Sequence, residues 1–260
     1  MENRESKMEL PLVSVVMPAY NAGQYIRQAV ESVQAQTLKR WELLVIDDCS
    51  ADQTRELVTR MAAADSRIRL IPNEENLGTA GSRNRGLDLA RGEYVALLDS
   101  DDCWRPEKLE MQLSLAKKTD ADLVCTSYAL VDEQGEPCCR DYLVPGGPID
   151  LDQLLVQNVI GCSTVLLSRR VVENYRFSTD YYHEDFALWL KLLEDGLCAV
   201  GMEAVLVDYR LHRNSRAANK ISSARHRWTI YRSQMKLPLL KSCYCLIRYT
   251  IAGLTKYRKL

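Results

Sequence analysis

The sequence predicts an α/β fold in which a mostly parallel central sheet is flanked by helices and followed by a basic helical tail. Near-continuous apolar runs, such as LVSVVMPAY at 12–20, are typical of strands that are buried on both faces. These runs alternate with segments of helical periodicity, and strand–helix–strand units at this spacing form parallel sheets covered by helices.

The elements follow a regular rhythm up to residue 128. We expect strands at 12–20, 42–47, 67–72, 94–99 and 121–128. We expect helices at 21–36, 53–64 and 79–90, and a further helix after 105. Asn21 should cap the first helix, with Gln24 in the capping-box position. Pro106 should occupy the first position of the fourth helix, where proline is tolerated.

The rhythm breaks after Tyr128, and the second half of the chain is less regular. We expect a hairpin turn at 131–137, a loop at 145–148, a strand at 164–168, a helix at 183–195 and a last strand at 204–212. We therefore divide the chain into an N-terminal extension (1–11), a main domain (12–215, with halves 12–128 and 129–215) and a tail (216–260).

The composition is that of a globular protein, but the charge is unevenly distributed. The chain has 260 residues, 47% of them hydrophobic, and a net charge of −1. No Asp or Glu follows Asp208, whereas 13 of the 34 Lys and Arg lie in 209–260. A basic tail of this kind suits an anionic partner such as a lipid surface or a lipid-linked diphosphate. RNA is a weaker alternative because no RNA-binding motif is present.

Cysteine usage and hydropathy indicate a cytoplasmic protein. The nine Cys are scattered without zinc-type spacing, which favours reduced thiols. The opening MENRESKMEL is charged and lacks the apolar core of a signal peptide, and no long uncharged apolar window could span a membrane.

Ligands of open α/β sheets bind beyond the carboxyl ends of the strands, where this chain places several acids. The run YVALLDSDDCW (94–104) ends in Asp99, Asp101 and Asp102. Carboxylates clustered in this way can hold Mg²⁺ or Mn²⁺ together with substrate phosphates. Within a strand, Asp99 and Asp101 would share one face. The alternative is a solvated acidic turn in which Asp102 caps the next helix. Neither a glycine-rich dinucleotide fingerprint nor a P-loop motif occurs.

Six segments of the chain form a pattern that extends over most of 12–215. The segments are SVVMPAYNAGQYI (14–26), QTLKRWELLVIDDCSADQT (36–54), NLGTAGSRNRGL (76–87), GEYVALLDSDDCWRPEKLEMQ (92–112), HEDFALWLKL (183–192) and YRLHRNS (209–215). Together, in this order and at this spacing, they resemble the inverting glycosyltransferases of family two, which share the GT-A fold. The bacterial members that build O-antigen, capsule and teichuronic-acid-type polymers are the most similar.

The resemblance implies a metal-dependent, inverting transfer of a hexose or N-acetylhexosamine from a UDP-sugar to a saccharide on a polyprenyl diphosphate. It implies a site for the donor, a Mn²⁺ or Mg²⁺ ion and a base. The donor-binding residues would be Pro18, Ala19, Tyr20, Asn21, Asp48, Arg83, Asp99 and Ser100. The metal would be bound by Asp101, with Asp99 and His212 as further contacts.

Asp185 is the candidate base because an inverting transfer needs one carboxylate to take the proton of the acceptor hydroxyl. Glu184 is the second candidate, although either acid could simply favour the start of a helix. Trp104 would pack beside the acceptor cleft, with a core position as the alternative.

The tail mixes bases with aromatic and aliphatic side chains, which is typical of a helix that lies in a membrane interface. We therefore expect residues 216–260 to hold the protein peripherally at the inner face of the cell membrane. The alternatives are a helix packed on the acidic body and a contact within a homo-oligomer. Two other functions are alternatives, a nucleotidyltransferase and a non-catalytic sugar-nucleotide-binding protein. A nucleotidyltransferase would have a basic, glycine-rich loop after the first strand, and the PAYNAG segment is not such a loop. A non-catalytic binding protein would lack Asp99, Asp101 and Asp185, which are all present in this chain.

Overall fold

The computed structural model describes residues 10–212 and 220–255. Residues 1–9 of the extension, the expected boundary at 215, and the bases Arg213, Arg216, Lys256, Arg258 and Lys259 lie outside these ranges. The strands are β1 (Val13–Ala19), β2 (Trp41–Asp47), β3 (Ile68–Pro72), β4 (Tyr94–Leu97), β5 (Cys103–Trp104), β6 (Leu123–Val131), β7 (Gly147–Ile149), β8 (Leu166–Ser168) and β9 (Ala199–Arg210). The α-helices are α1 (Ile26–Gln34), α2 (Thr54–Ala64), α3 (Gly78–Leu89), α4 (Lys108–Thr119), α5 (Leu151–Val156), α6 (Arg169–Asn174), α7 (Glu184–Glu194), α8 (Lys220–Thr229) and α9 (Leu239–Thr255).

One sheet runs through the described residues, in the order β3-β2-β1-β4-β8-β6-β9-β5, with β7 paired to β9. Strands β1 to β4 are parallel, β8 is antiparallel to both of its neighbours, and β6 and β9 are parallel. Because two reversals surround β8, strands β6 and β9 point the same way as β1. The carboxyl ends of β1, β2, β4 and β9 therefore lie at one edge of a mixed sheet.

Every residue of β1 and β2 is buried, as expected of strands that are covered on both faces. Helix α1 buries Ile26, Val30 and Val33, and its last turn is followed by the connection to β2. The helix begins five residues later than expected, so the prediction that Asn21 is its cap is wrong. Asn21 has φ of 50°, and its side-chain oxygen accepts a hydrogen bond from the Ala51 backbone N–H at 2.8 Å.

The second half contains elements that the sequence did not reveal. The expected loop at 145–148 overlaps β7, and 129–182 also holds α5, α6 and a 3₁₀ turn at Cys162–Thr164. Strand β4 ends at Leu97, two residues before Asp99. The expectation that Asp99 and Asp101 share a strand face is therefore wrong, since both lie in a turn closed by the Asp102 N–H donating to the Asp99 carbonyl at 3.1 Å.

The helices after residue 219 pack on the main domain. A π-helical turn at Ile230–Gln234 follows α8, and Ile230 and Tyr231 are fully buried in the common core. The Tyr231 hydroxyl donates to the Leu155 carbonyl at 2.5 Å, and Gln234 donates to the Ala187 carbonyl at 2.7 Å. In the parts of the chain that the structure describes, no helix combines the length and the apolarity needed to cross a bilayer.

Candidate active site

The first side of the site is formed by the segments that follow β1 and β2. Pro18 and Ala19 are the buried last residues of β1, and Tyr20 is 58% exposed beside them. Asn21 connects the two segments, since its backbone N–H donates to Ser50 Oγ at 2.9 Å. A flat, exposed aromatic ring next to a fixed loop can stack against a planar base.

Asp48 holds the loop between β3 and α3 against the end of β2. It is 4% exposed, and its Oδ1 accepts hydrogen bonds from the Asn73 side chain and the Leu77 backbone, both at 2.8 Å. The neighbouring Asp47 is fully buried and binds Arg55 at 2.5 Å, so that it shapes the turn. Asp48 has a second carboxylate oxygen, which adds further acceptor capacity.

Arg83 joins two distant acids at the centre of the site. It lies on α3, is 3% exposed, and donates to Asp99 Oδ1 at 2.6 Å and to Glu184 Oε1 at 2.8 Å. Burial alone would lower the pKa of Arg83, but the charges of Asp99, Glu184 and Asp185 hold that pKa above its usual value. The side chain is therefore a permanently charged bridge between the turn after β4 and the start of α7.

The three acids of the DSDD turn have three different environments. Asp99 pairs with Arg83, and Asp101 Oδ2 lies 2.8 Å from His212 Nε2. Asp102 is 1% exposed and accepts hydrogen bonds from the Arg210 backbone at 2.9 Å and the Ser163 hydroxyl at 2.5 Å. The alternative that Asp102 caps the next helix is wrong, because α4 begins only at Lys108.

Burial, followed by the charge of Asp99, raises the pKa of Asp101 above that of an ordinary aspartate. Burial also raises the pKa of Asp102, with the charges of Asp101 and Asp99 as further causes. The turn therefore concentrates negative charge in a partly buried position, and Ser100 lies partly exposed between its first two acids. A cation bound there would relieve this repulsion.

Two residues that sequence reasoning did not select hold the turn in place. The Ser163 hydroxyl also accepts a hydrogen bond from the Asp99 N–H at 3.1 Å, so it contacts the first and last acids of the turn. Arg210 donates to the Asp101 carbonyl at 2.9 Å and to Gln28 Oε1 at 2.9 Å. Arg210 stands beside His212 in YRLH, a signal that could have identified it, whereas Ser163 lies in a segment without a recognised motif.

Asp185 and Glu184, the two candidate bases, differ in their surroundings. Glu184 is 6% exposed and paired with Arg83. Asp185 is more accessible, lies in the first turn of α7, and accepts a hydrogen bond from the Phe186 N–H at 2.7 Å. A base needs access to the proton that it takes, so Asp185 is the better placed of the two.

Trp104 has a core position and does not present its ring to a cleft. It is 4% exposed, its indole N–H donates to the Ser163 carbonyl at 2.8 Å, and the ammonium of buried Lys108 lies 3.9 Å from its ring centroid. The burial of Trp104 therefore favours the alternative, a core position, over a position beside an acceptor cleft.

The side chains of Asp101, His212 and Asp99 are suited to bind a divalent cation whose remaining ligands would come from a substrate. Asp101, His212 and Asp99 provide oxygen and imidazole ligands, and the side chains of the first two are 36% and 26% exposed. Among the described residues, no three His, Cys, Asp or Glu side chains already form a metal-binding group. Mg²⁺ and Mn²⁺ commonly take only one or two carboxylates and complete their coordination with phosphates and water, so the residues present fit such an ion.

The chain is similar in sequence to known glycosyltransferases. The family model described as "Glycosyl transferase family 2" matches residues 14–175. TuaG of Bacillus subtilis (strain 168), whose name assigns it provisionally to teichuronic acid biosynthesis as a glycosyltransferase, is 38% identical over 92% of this chain and 94% of its own length. An Escherichia coli relative, the UDP-Glc:alpha-D-GlcNAc-diphosphoundecaprenol beta-1,3-glucosyltransferase WfgD, is 36% identical over 95% of each chain.

The fold also matches solved structures. The mannosyltransferase PcManGT of Pyrobaculum calidifontis, solved with GDP-Man and Mn²⁺, superposes with a TM-score of 0.70 at 18% identity. The match covers 96% of this chain and 72% of that one. The mixed sheet flanked by helices is therefore the GT-A fold.

Proposed function

The chain belongs to glycosyl transferase family 2 and is a glycosyltransferase, and we propose that it moves a hexose or N-acetylhexosamine from a UDP-sugar to a saccharide on a polyprenyl diphosphate. The reaction inverts the anomeric carbon and contributes to a bacterial surface polysaccharide. The carrying observation is the Arg83 bridge, because it brings the Asp99 turn and the start of α7 into one site. The names of TuaG and WfgD support the polymer class and the lipid-linked acceptor.

The donor binds across the carboxyl ends of β1, β2 and β4. Tyr20 stacks on the uracil, and the second carboxylate oxygen of Asp48 accepts a hydrogen bond from the base. Ala19 and Asn21 line the base pocket, and Asp99 and Ser100 contact the ribose or the sugar. Arg83 remains near the diphosphate while it is held by its two acids.

Asp101 and His212, with Asp99 nearby, would hold Mn²⁺ or Mg²⁺. When bound, such an ion acts as a Lewis acid that stabilises the charge of the departing diphosphate. The metal in PcManGT supports this assignment by analogy of fold. The protein's own part is to keep the two ligands together, through the Asp101–His212 contact of 2.8 Å and the bonds from Arg210 to the turn.

Asp185 takes the proton of the acceptor hydroxyl as that hydroxyl oxygen attacks the anomeric carbon. The bond between that carbon and the diphosphate breaks on the opposite face, so UDP leaves and the configuration inverts. Glu184 positions Arg83 and does not accept the proton. The enzyme works in the cytoplasm, peripherally on the inner face of the membrane, where the donor and a lipid-linked acceptor meet.

The test measures UDP release from UDP-glucose, UDP-galactose and their N-acetyl forms. A polyprenyl-diphosphate-linked N-acetylglucosamine serves as acceptor, with Mn²⁺ or with EDTA. We expect metal-dependent release from one donor. Asp185→Asn should lower kcat by about 10² to 10⁴-fold with unchanged UDP binding, as expected for loss of a general base.

Glu184→Gln is the matched control, since it also replaces a carboxylate by its amide and so removes the negative charge next to Asp185. It should weaken donor binding and stability through Arg83 while retaining more turnover than Asp185→Asn. The reverse order of the two variants would assign the base to Glu184. UDP binding without turnover for any donor would instead favour the non-catalytic binding protein.

A further inference from the structure

One face of α9 is apolar and exposed although the helix is attached to the body. Leu240, Tyr244, Ile247 and Ile251 are between 56% and 85% exposed. They recur at intervals of four, three and four residues, so that they form one stripe along the helix. At a rise of 1.5 Å per residue the stripe is about 16 Å long.

The opposite face of α9 fixes this orientation. Ser242 and Cys245 are buried, and Lys241 binds Asp152 in α5 at 2.8 Å. The guanidinium of Arg227 in α8 lies 3.8 Å from the ring centroid of Tyr249 and 3.8 Å from that of Phe186. Packing on the acidic body therefore accounts for one face of the tail, and among residues 10–212 and 220–255 the stripe stays exposed.

The charges around the stripe indicate what covers it. Lys236 precedes the helix and Arg248 flanks the stripe, and both are exposed. No acid occurs anywhere after Asp208. In a two-fold dimer through this face, the bases of one copy would meet those of the other without a balancing acid from the segment. An anionic leaflet offers apolar chains to the stripe and negative headgroups to the bases.

We propose that the Leu240–Ile251 stripe of α9 lies in the plane of an anionic lipid leaflet and holds the active site at the membrane surface. This inference rests on the proposed function, because a lipid-linked acceptor is what such docking would bring within reach. It assigns the two faces of the tail to different partners: the inner face to the body and the outer face to lipid. The helix lies along the leaflet because its inner face is already packed on the body.

The experiment measures co-sedimentation of the full chain with vesicles of phosphatidylglycerol and phosphatidylcholine at 3:7. Replacing both Leu240 and Ile247 by Ser should lower the vesicle partition coefficient about 100-fold, roughly tenfold for each apolar side chain withdrawn. The matched control replaces Leu10 and Leu143 by Ser. These two side chains are 65% and 66% exposed but lie outside α9, so the control should bind vesicles as the wild type does. Vesicles of phosphatidylcholine alone, or added salt, should weaken binding of the wild type.

Equal binding of the stripe variant and the wild type would overturn the proposal. So would a wild-type dimer, seen by sedimentation without vesicles, that the stripe variant converts to monomer. If the wild type transfers sugar to a detergent-dispersed acceptor but stays off vesicles, only the docking inference fails. If it binds vesicles but transfers no sugar from any donor, only the proposed function fails.

Discussion

Replacing Ser163 by Ala should weaken the hydrogen bonds that hold the turn of Asp99, Asp101 and Asp102. The variant tests whether this turn contributes both to the stability of the fold and to metal-dependent binding of UDP. The Ser163 side chain is fully buried and makes two hydrogen bonds, to Asp102 at 2.5 Å and from the Asp99 N–H at 3.1 Å. A hydrogen bond to a charged group contributes about 1.5–3 kcal/mol and a neutral one about 0.5–1.5 kcal/mol. We therefore expect the free energy of unfolding to fall by about 2–4 kcal/mol.

Denaturant unfolding, monitored by circular dichroism, measures this loss of stability. Thr126→Val is the matched control, because Thr126 is equally buried and its hydroxyl has no hydrogen-bond partner among the described residues. Its replacement should be nearly neutral or stabilising. The second assay is UDP binding as a function of Mn²⁺ concentration, whose midpoint should rise about tenfold in Ser163→Ala, or roughly 1.4 kcal/mol. A loss of stability no larger than that of the control would refute the role given to the Ser163–Asp102 contact.

Three further predictions concern parts of the molecule away from the turn. Hydrogen bonds from Arg67 lower the pKa of Asp65 to about 2, so the stabilising contribution of Asp65 is complete above about pH 4 and is lost as the pH falls towards 2. The stability difference between wild type and Asp65→Asn, from denaturant unfolding at each pH, should shrink over that interval, and a constant difference would contradict it. Ile230→Ala should cost about 2–5 kcal/mol because Ile230 is fully buried, whereas Ile247→Ala on the exposed face should stay within about 0.5 kcal/mol by the same measurement. Truncation after residue 215 should therefore expose core and yield an aggregating chain, and a stable, monomeric truncated enzyme would contradict this prediction.

The first three strands could be predicted closely because β1 and β2 are buried along their whole length and β3 ends at Pro72. The predicted bounds of β1, β2 and β3 agree with the structure to within one residue at each end. Continuous apolar runs bounded by polar turns leave little ambiguity about where such strands begin and end. The parallel arrangement followed from the helices between them.

The shortest strands and most of the second half could not be predicted to the same degree, for reasons of length and distance. Strand β8 lies inside the strand expected at 164–168, but β5 and β7 have only two and three residues, too few to show a period of two. Both form because β9 offers them a hydrogen-bonding edge. Such pairing is a property of the assembled sheet and leaves no local signal.

The candidate site shows the same division between local and distant information. The acids of the turn, Arg83, Asp185 and His212 could be selected from their own motifs, and the structure gathers them at one sheet edge. The pairing of Arg83 with Glu184 joins residues 101 positions apart, and that of Ser163 with Asp102 joins residues 61 apart. Sequence reasoning could name the charged groups, but it could not tell which of them neutralise one another.

That distinction explains why three carboxylates can follow a buried strand without unfolding it. Each acid is stabilised by a donor from a different segment: Asp99 by Arg83, Asp101 by His212, and Asp102 by Ser163 with the Arg210 backbone. The most buried acid, Asp102, holds the turn in place, whereas Asp99 and Asp101 stay partly exposed. Because His212 is a weaker partner than the Arg83 guanidinium, we expect Asp101 to have the greatest affinity of the three for an added cation. The division of partners among the three acids thus assigns the structural role to Asp102 and leaves Asp101 as the main candidate metal ligand.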